Sequence, residues 1–150
     1  MHEAAPSMVY TAWVLDSNLE AVKPLVEAIQ SRVEGLAAVY LFGSRARGDA
    51  LPDSDLDLAI LATRKLDPVE RWKLQEDLAT LGHRDVDLVD LRQASTVMRI
   101  QVLKDALLLL DLAPSARQAY EAVALGAYAR LNLERAGILA DIAARSAAHG

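Results

Sequence analysis

The chain has no cysteine, which excludes disulfides and thiolate metal centres and fits a reducing cytoplasm. Cations are also short: 16 lysines and arginines face 21 aspartates and glutamates, a formal charge of −5. Nonspecific affinity for a phosphate backbone comes from clustered lysine and arginine, so stable nucleic-acid binding is not expected. No run reaches the roughly twenty apolar residues that a membrane span needs, since the apolar stretch 102–113 is broken by Lys104, Asp105 and Asp111. The opening residues Met1 to Ser7 lack the basic and apolar regions of a signal peptide. No internal repeat and no low-complexity linker is visible. These absences together point to a cytoplasmic protein that neither crosses a membrane nor coats nucleic acid.

What is present is a globular composition, with 53% apolar residues in a chain of 150, long enough to bury a core. One domain is expected over 1–150, with a catalytic core at about 17–112 and a C-terminal helix at about 114–145. Residues 9–15, with Trp13, are apolar without a clear period. From Ser17 to Glu34, Leu19, Val22, Val26, Ile29 and Val33 recur at helical steps. Pro24 inside that pattern either bends the helix or marks its first turn. Strands are expected at 37–42, 55–61 and 85–91, with a short fourth one near 107–110. Asp67-Pro68-Val69-Glu70 combines an N-cap, a proline at the first helical position and a glutamate at the third. That helix should run to about Leu81 with Val69, Trp72 and Leu78 inward. Another helix is expected over 94–104. The last, from Pro114 toward Ala144, carries a stripe through Tyr120, Ala124, Ala127, Leu131, Ile138 and Ile142 that serves core packing or a partner. The class is α/β (α+β): a small mixed sheet flanked by helices.

Function concentrates in Tyr40-Leu41-Phe42-Gly43-Ser44-Arg45-Ala46-Arg47-Gly48 and its continuation Ser54-Asp55-Leu56-Asp57-Leu58. Side chains alternate along a strand, so Asp55 and Asp57 project to one side. Paired carboxylates are hard oxygen donors for a divalent cation, and magnesium takes one or two of them at roughly 2.0–2.1 Å while leaving room for phosphate oxygens. A turn rich in backbone N–H groups supplies the complementary half, because it attracts phosphate. Gly43 permits close backbone approach, Ser44 adds a hydroxyl, and Gly48 lets the chain turn back. Arg45 and Arg47 are placed to hold one triphosphate, the guanidinium fork suiting phosphate. Ser54 orients Asp55 or begins the strand.

Gly43, Ser44, Ala46, Gly48, Ser54, Asp55, Asp57 and Leu58 together resemble the G-S-x-A-x-G and S-D-x-D-L signature of the minimal nucleotidyltransferases. These are small members of the DNA polymerase beta-like superfamily. Val86-Asp87-Leu88-Val89-Asp90-Leu91 resembles the strand that bears that family's third acid, and the likeness spans about residues 20–135. At Ala106 the chain departs, since relatives often carry glycine there. The resemblance implies attack of an acceptor hydroxyl on the α-phosphate of ATP, pyrophosphate leaving, with two magnesium ions between Asp55, Asp57 and a third carboxylate that draws the acceptor proton. By its match to the family strand that third acid is Asp87. Asp85 shares the strand face, so periodicity alone does not separate the two, whereas Asp90 points away.

Chains of this size resemble the antitoxins paired with HEPN-domain ribonuclease toxins, which they silence by moving AMP from ATP to a toxin tyrosine. A chain this short leaves little room for its own acceptor-binding domain, which favours a macromolecular acceptor. Transfer to a small molecule such as an aminoglycoside is the alternative enzyme, and neutralisation of a toxin by contact alone is the non-enzymatic one. His83, after a helix-ending glycine, reads as a capping or surface residue rather than a ligand, and Trp13 and Trp72 read as core aromatics.

Overall fold

The computed structural model describes residues 17–48, 50–51 and 54–149. The expectations for residues 9–15 and Trp13, and for the side chain of Leu19, lie outside the described part. Among the described residues nine elements follow one another: α1 (Ser17–Arg32), β1 (Leu36–Phe42), α2 (Ser44–Arg47), β2 (Leu56–Ala62), α3 (Pro68–Gly82), β3 (Val86–Asp90), α4 (Thr96–Asp105), β4 (Leu107–Asp111) and α5 (Pro114–His149). The strands form one mixed sheet in the order β3-β2-β1-β4. β1 runs antiparallel to both β2 and β4, and β2 runs parallel to β3.

Strand alternation gives the sheet two different faces. Val39, Leu41, Leu56, Leu58, Ile60 and Leu88 pack beneath α1 and α3, which contribute Val22, Leu25, Ile29, Leu74 and Leu78. This is the larger core, and every one of these side chains is buried. The opposite face presents Ala38, Tyr40, Ala59 and Leu61 to α4 and to the start of α5, where Val102 and Tyr120 meet them. Small residues on β1 and β2 let those two helices sit close.

Several local devices read as expected. Asp67 caps α3, accepting from the N–H groups of Val69 and Glu70 at 3.1 and 3.3 Å, and Pro68 occupies the first turn, where its missing N–H costs nothing. The helix expected from 94 begins at Thr96 instead, where Ser95, a cap not foreseen, accepts from the Met98 N–H at 3.1 Å. His83 closes α3 in the left-handed conformation, φ 52°, donating its N–H to the Ala79 carbonyl. Pro24 lies in the middle of α1, so it does not mark the first turn. Ala106 has φ −69° and ψ 142°, an extended geometry open to any residue, and glycine is therefore unnecessary at that position.

Two expectations about helix faces are corrected. Val69 and Trp72 are 58% and 55% exposed, while Leu74 and Leu78 are buried. Successive helical residues turn by about 100°, so Trp72 lies on the side opposite Leu74 once that residue faces the sheet. Trp72 is therefore not a core aromatic. In α5 the packed stripe ends early: Ala124 is buried, Ala127 and Leu131 are half-buried, and Ile138 and Ile142 are exposed. Only the first half of that helix reaches the sheet. No helix among the described residues is long and apolar enough to cross a membrane.

Candidate active site

The site is built where β1 ends and β2 begins. Gly43 follows β1 with φ 74° and ψ −155°, a combination essentially confined to glycine. It turns the chain into the single helical turn of α2, whose Ala46 and Arg47 N–H groups donate to the Gly43 carbonyl at 3.1 Å. Gly48, at φ 82°, ends that turn. The first N–H groups of a helical turn have no partner within it, and Ser44 adds its hydroxyl at the same mouth.

Asp57 lies opposite Phe42 of β1 and level with Asp87 of the parallel neighbour β3. A Cβ on Gly43 would stand 2.1 Å from Asp57 Oδ2, so the glycine leaves the space that the carboxylate occupies. The close approach foreseen from the sequence was to a phosphate; the structure adds one to Asp57. Burial, and then the charges of Asp87 and Asp55, raise the Asp57 carboxyl above the ordinary aspartate value, and Arg47 opposes them. Asp85 is absent from the charges that act on Asp57. It sits just before β3, where its carbonyl receives the Leu56 N–H at 2.9 Å. Asp90 points to the other side and is buried, accepting from Leu66 N–H at 2.8 Å and Arg92 N–H at 3.1 Å.

Gly43, Ser44, Arg47, Ser54, Asp55 and Asp57 line one open cleft of about 460 Å³. Arg45 is not among them. Two residues apart on a helical turn, the two arginines point differently: Arg47 is exposed, and Arg45 is 7% exposed with Nη2 donating to the Ser54 carbonyl at 2.9 Å. Arg45 thus ties α2 to the segment entering β2, rather than facing the cleft. The Ser54 hydroxyl accepts the Leu51 N–H at 2.8 Å, closing the turn that delivers Asp55. Asp87 lines instead a separate hollow of about 300 Å³, which Arg71 also borders. Arg71, which donates to the Leu88 carbonyl at 3.1 Å, had no local sequence signal, because only the α3 packing against β3 brings it there.

Among the described residues no three carboxylates are closed into a finished metal cage. The donor set nevertheless fits a hard dication. Two acids from β2 and its approach and one from β3 gather where burial, and after it their mutual charge, raises Asp57, and a cation between them offsets both costs.

An α+β sheet that presents a glycine-serine turn and carboxylates from two adjacent strands to one region has the architecture of nucleotide-transferring folds. Residues 24–114 match the family model described as polymerase beta, nucleotidyltransferase, and the chain belongs to that family. It is 36% identical to the protein adenylyltransferase MntA of Shewanella oneidensis over 124 residues, 83% of this chain and 88% of that protein. Among solved structures, a chain of a toxin-antitoxin complex with AMP-PNP is 34% identical with a TM-score of 0.73, over 80% of this chain and 96% of its own. A chain from the complex of tri-AMPylated Shewanella oneidensis HEPN toxin with MNT antitoxin is 32% identical, TM-score 0.69, over 82% of this chain and 96% of its own.

Proposed function

We propose that this chain is a cytoplasmic antitoxin that transfers AMP from ATP to a tyrosine hydroxyl of a partner HEPN ribonuclease toxin. The observation that carries the reading is the level pairing of Asp57 with Asp87 beside the Gly43-Ser44 turn. The similarity to MntA and to the AMP-PNP and AMPylated-toxin complexes supports this choice of donor and acceptor.

Asp55, Asp57 and Asp87 would hold two magnesium ions, which supply neutralisation of the charge that builds between attacking and leaving oxygens. The Ser44 hydroxyl and the leading N–H groups of α2, ahead of the Ala46 and Arg47 groups that donate to the Gly43 carbonyl, receive the β and γ phosphates, and Arg47 adds a cation at the same rim. Arg45 and Ser54 act beneath, fixing the segment from which Asp55 emerges. Asp87, nearest the open edge of the sheet, takes the proton from the acceptor hydroxyl as it attacks the α-phosphate, and pyrophosphate leaves. General-base help of this kind contributes about 10²–10⁴-fold. The geometry favours Asp87 over Asp85, because only Asp87 is level with Asp57 and acts on its charge.

The test is incubation of the protein and its co-expressed HEPN partner with ATP labelled in the α-phosphate, with kanamycin in a parallel reaction. Label is expected on the partner's tyrosine, lost in Asp87→Ala and kept in Asp85→Ala. Label on the antibiotic and never on protein would overturn the proposal in favour of a small-molecule enzyme. Protection of cells by Asp55→Ala with Asp57→Ala would establish neutralisation by contact alone.

A further inference from the structure

A second cavity lies on the sheet face that bears Asp57, over β1 and β4 and under α4 and α5. Its volume is about 220 Å³, below the roughly 300–1,000 Å³ of sites for drug-sized ligands and suited to one flat ring system. Ile100, Leu108 and Leu125 give it apolar walls, and Tyr40, Glu121 and Lys104 supply its polar groups. Tyr40 and Phe42 share this face of β1, and Phe42 is the register partner of Asp57. Two residues along a strand span roughly 7 Å, so the floor of the cavity begins one such step from the carboxylates.

The topology says which reactant the cavity serves. Asp87, assigned to the acceptor, is on β3, the outer strand on the far side of β2. The glycine-serine turn follows β1, and the cavity spreads from β1 toward β4. Nucleotide and cavity therefore lie on one side of Asp57 and the acceptor on the other. A nucleotide whose α-phosphate is at Asp57 has its base within reach of this space.

We infer that the cavity receives the nucleobase and that Glu121 selects adenine over guanine, an inference that rests on the triphosphate site proposed above. Glu121 is fixed before any ligand arrives. Its Oε1 accepts from Tyr40 Oη at 2.7 Å, and Arg117 Nη1 reaches Oε1 and Oε2 at 3.2 and 3.1 Å. Arg117 Nε is held in turn 3.0 Å from Asp111 Oδ1. Burial, and then the bond to Glu121, push the Tyr40 phenol well above its ordinary value, so it stays a donor. A carboxylate has about four acceptor positions, and Glu121 keeps capacity for the exocyclic amine of adenine. Guanine would set its carbonyl oxygen against the same carboxylate, two acceptors with no proton between them. A mismatch of this kind at one base edge is worth about tenfold or more in affinity.

The experiment uses the full chain with isoleucine methyl groups labelled for NMR, titrated with Mg-ATP, Mg-GTP and Mg-tripolyphosphate. The Ile100 methyl signal is expected to move with Mg-ATP and to stay put with tripolyphosphate. Glu121→Gln, which still accepts from Tyr40 but also donates, is expected to bring ATP and GTP affinities within threefold while leaving tripolyphosphate affinity unchanged. An unmoved Ile100 with ATP bound, or an unaltered ATP preference in Glu121→Gln, overturns the inference alone. Failure of the wild-type chain to bind either ATP or tripolyphosphate overturns the triphosphate site itself, and this inference with it.

Discussion

Gly43→Ala separates two demands on one residue. The backbone at φ 74° and ψ −155° costs a residue with a side chain on the order of 1–3 kcal/mol. The new methyl would also stand 2.1 Å from Asp57 Oδ2, where ordinary contact begins at 3.4 Å, so the carboxylate must retreat by more than an ångström. Misplacement of a reacting group by about 1 Å can cost on the order of 100-fold in rate. A chain of this size loses roughly 2–4 °C in melting temperature per kcal/mol. The expectation is therefore a folded protein melting about 3–10 °C lower whose rate of label transfer from α-labelled ATP falls about 100-fold.

The two causes come apart in a double mutant. With Asp57→Ala as the background the methyl meets no carboxylate, and Gly43→Ala should then destabilise by its backbone term alone. The coupling between the substitutions, read from urea unfolding of the four proteins, is expected to be on the order of 1 kcal/mol. Transfer by Gly43→Ala within threefold of wild type, or a coupling indistinguishable from zero, refutes the claim that this glycine exists to seat Asp57.

Three further substitutions probe the same framework. Asp57 is raised in the fold by burial and by Asp87 and Asp55, so between its ordinary and its raised value the folded state holds more protons and stability falls as pH rises. In magnesium-free buffer Asp57→Asn should then melt higher than wild type at neutral pH, with the gain fading as pH drops into the ordinary aspartate range; thermal melts across pH show it. Tyr40→Phe removes the 2.7 Å donor to Glu121 and should cost about 1.5–3 kcal/mol in urea unfolding, as for hydrogen bonds to charged groups. His83→Gly relieves the left-handed backbone at φ 52° and should stabilise by about 0.5–1 kcal/mol, leaving transfer unchanged because the residue does not line the cleft.

The sheet was legible because three of its strands are short, nearly continuous apolar runs and β3 alternates, and the motif because its donors sit within sixteen residues of one another. What was lost is what depends on facing. On α3 the apolar pairs Val69/Trp72 and Leu74/Leu78 lie on different sides of the helix, and both satisfy a helical period. Only docking against α1 and β3 chooses the second. Arg45 and Arg47 are equal as sequence, yet a two-residue step on a helical turn sends one inward and the other to the cleft. Periodicity likewise could not rank Asp85 against Asp87; the parallel register, Asp57 beside Asp87, distinguishes their positions. The Tyr40 to Glu121 bond spans 81 residues and leaves no local trace.

The two faces of the sheet carry unequal burdens, and that inequality gives the site its character. The face under α1 and α3 is apolar along its length and can hold strand order without help. The other face is apolar only toward α4 and α5, and its remaining end carries Asp57 level with Asp87. A strand can tolerate that pair because its opposite side, Leu56, Leu58 and Leu88, is fully buried and supplies the adhesion the acids oppose. The burial and the repulsion that raise Asp57 are thus held in place by packing one residue away, and a dication that offsets them gains affinity from energy already spent in folding. It follows that magnesium should raise the melting temperature of the wild-type chain and lose that effect in Asp57→Asn, linking metal affinity to the apolar register of β2.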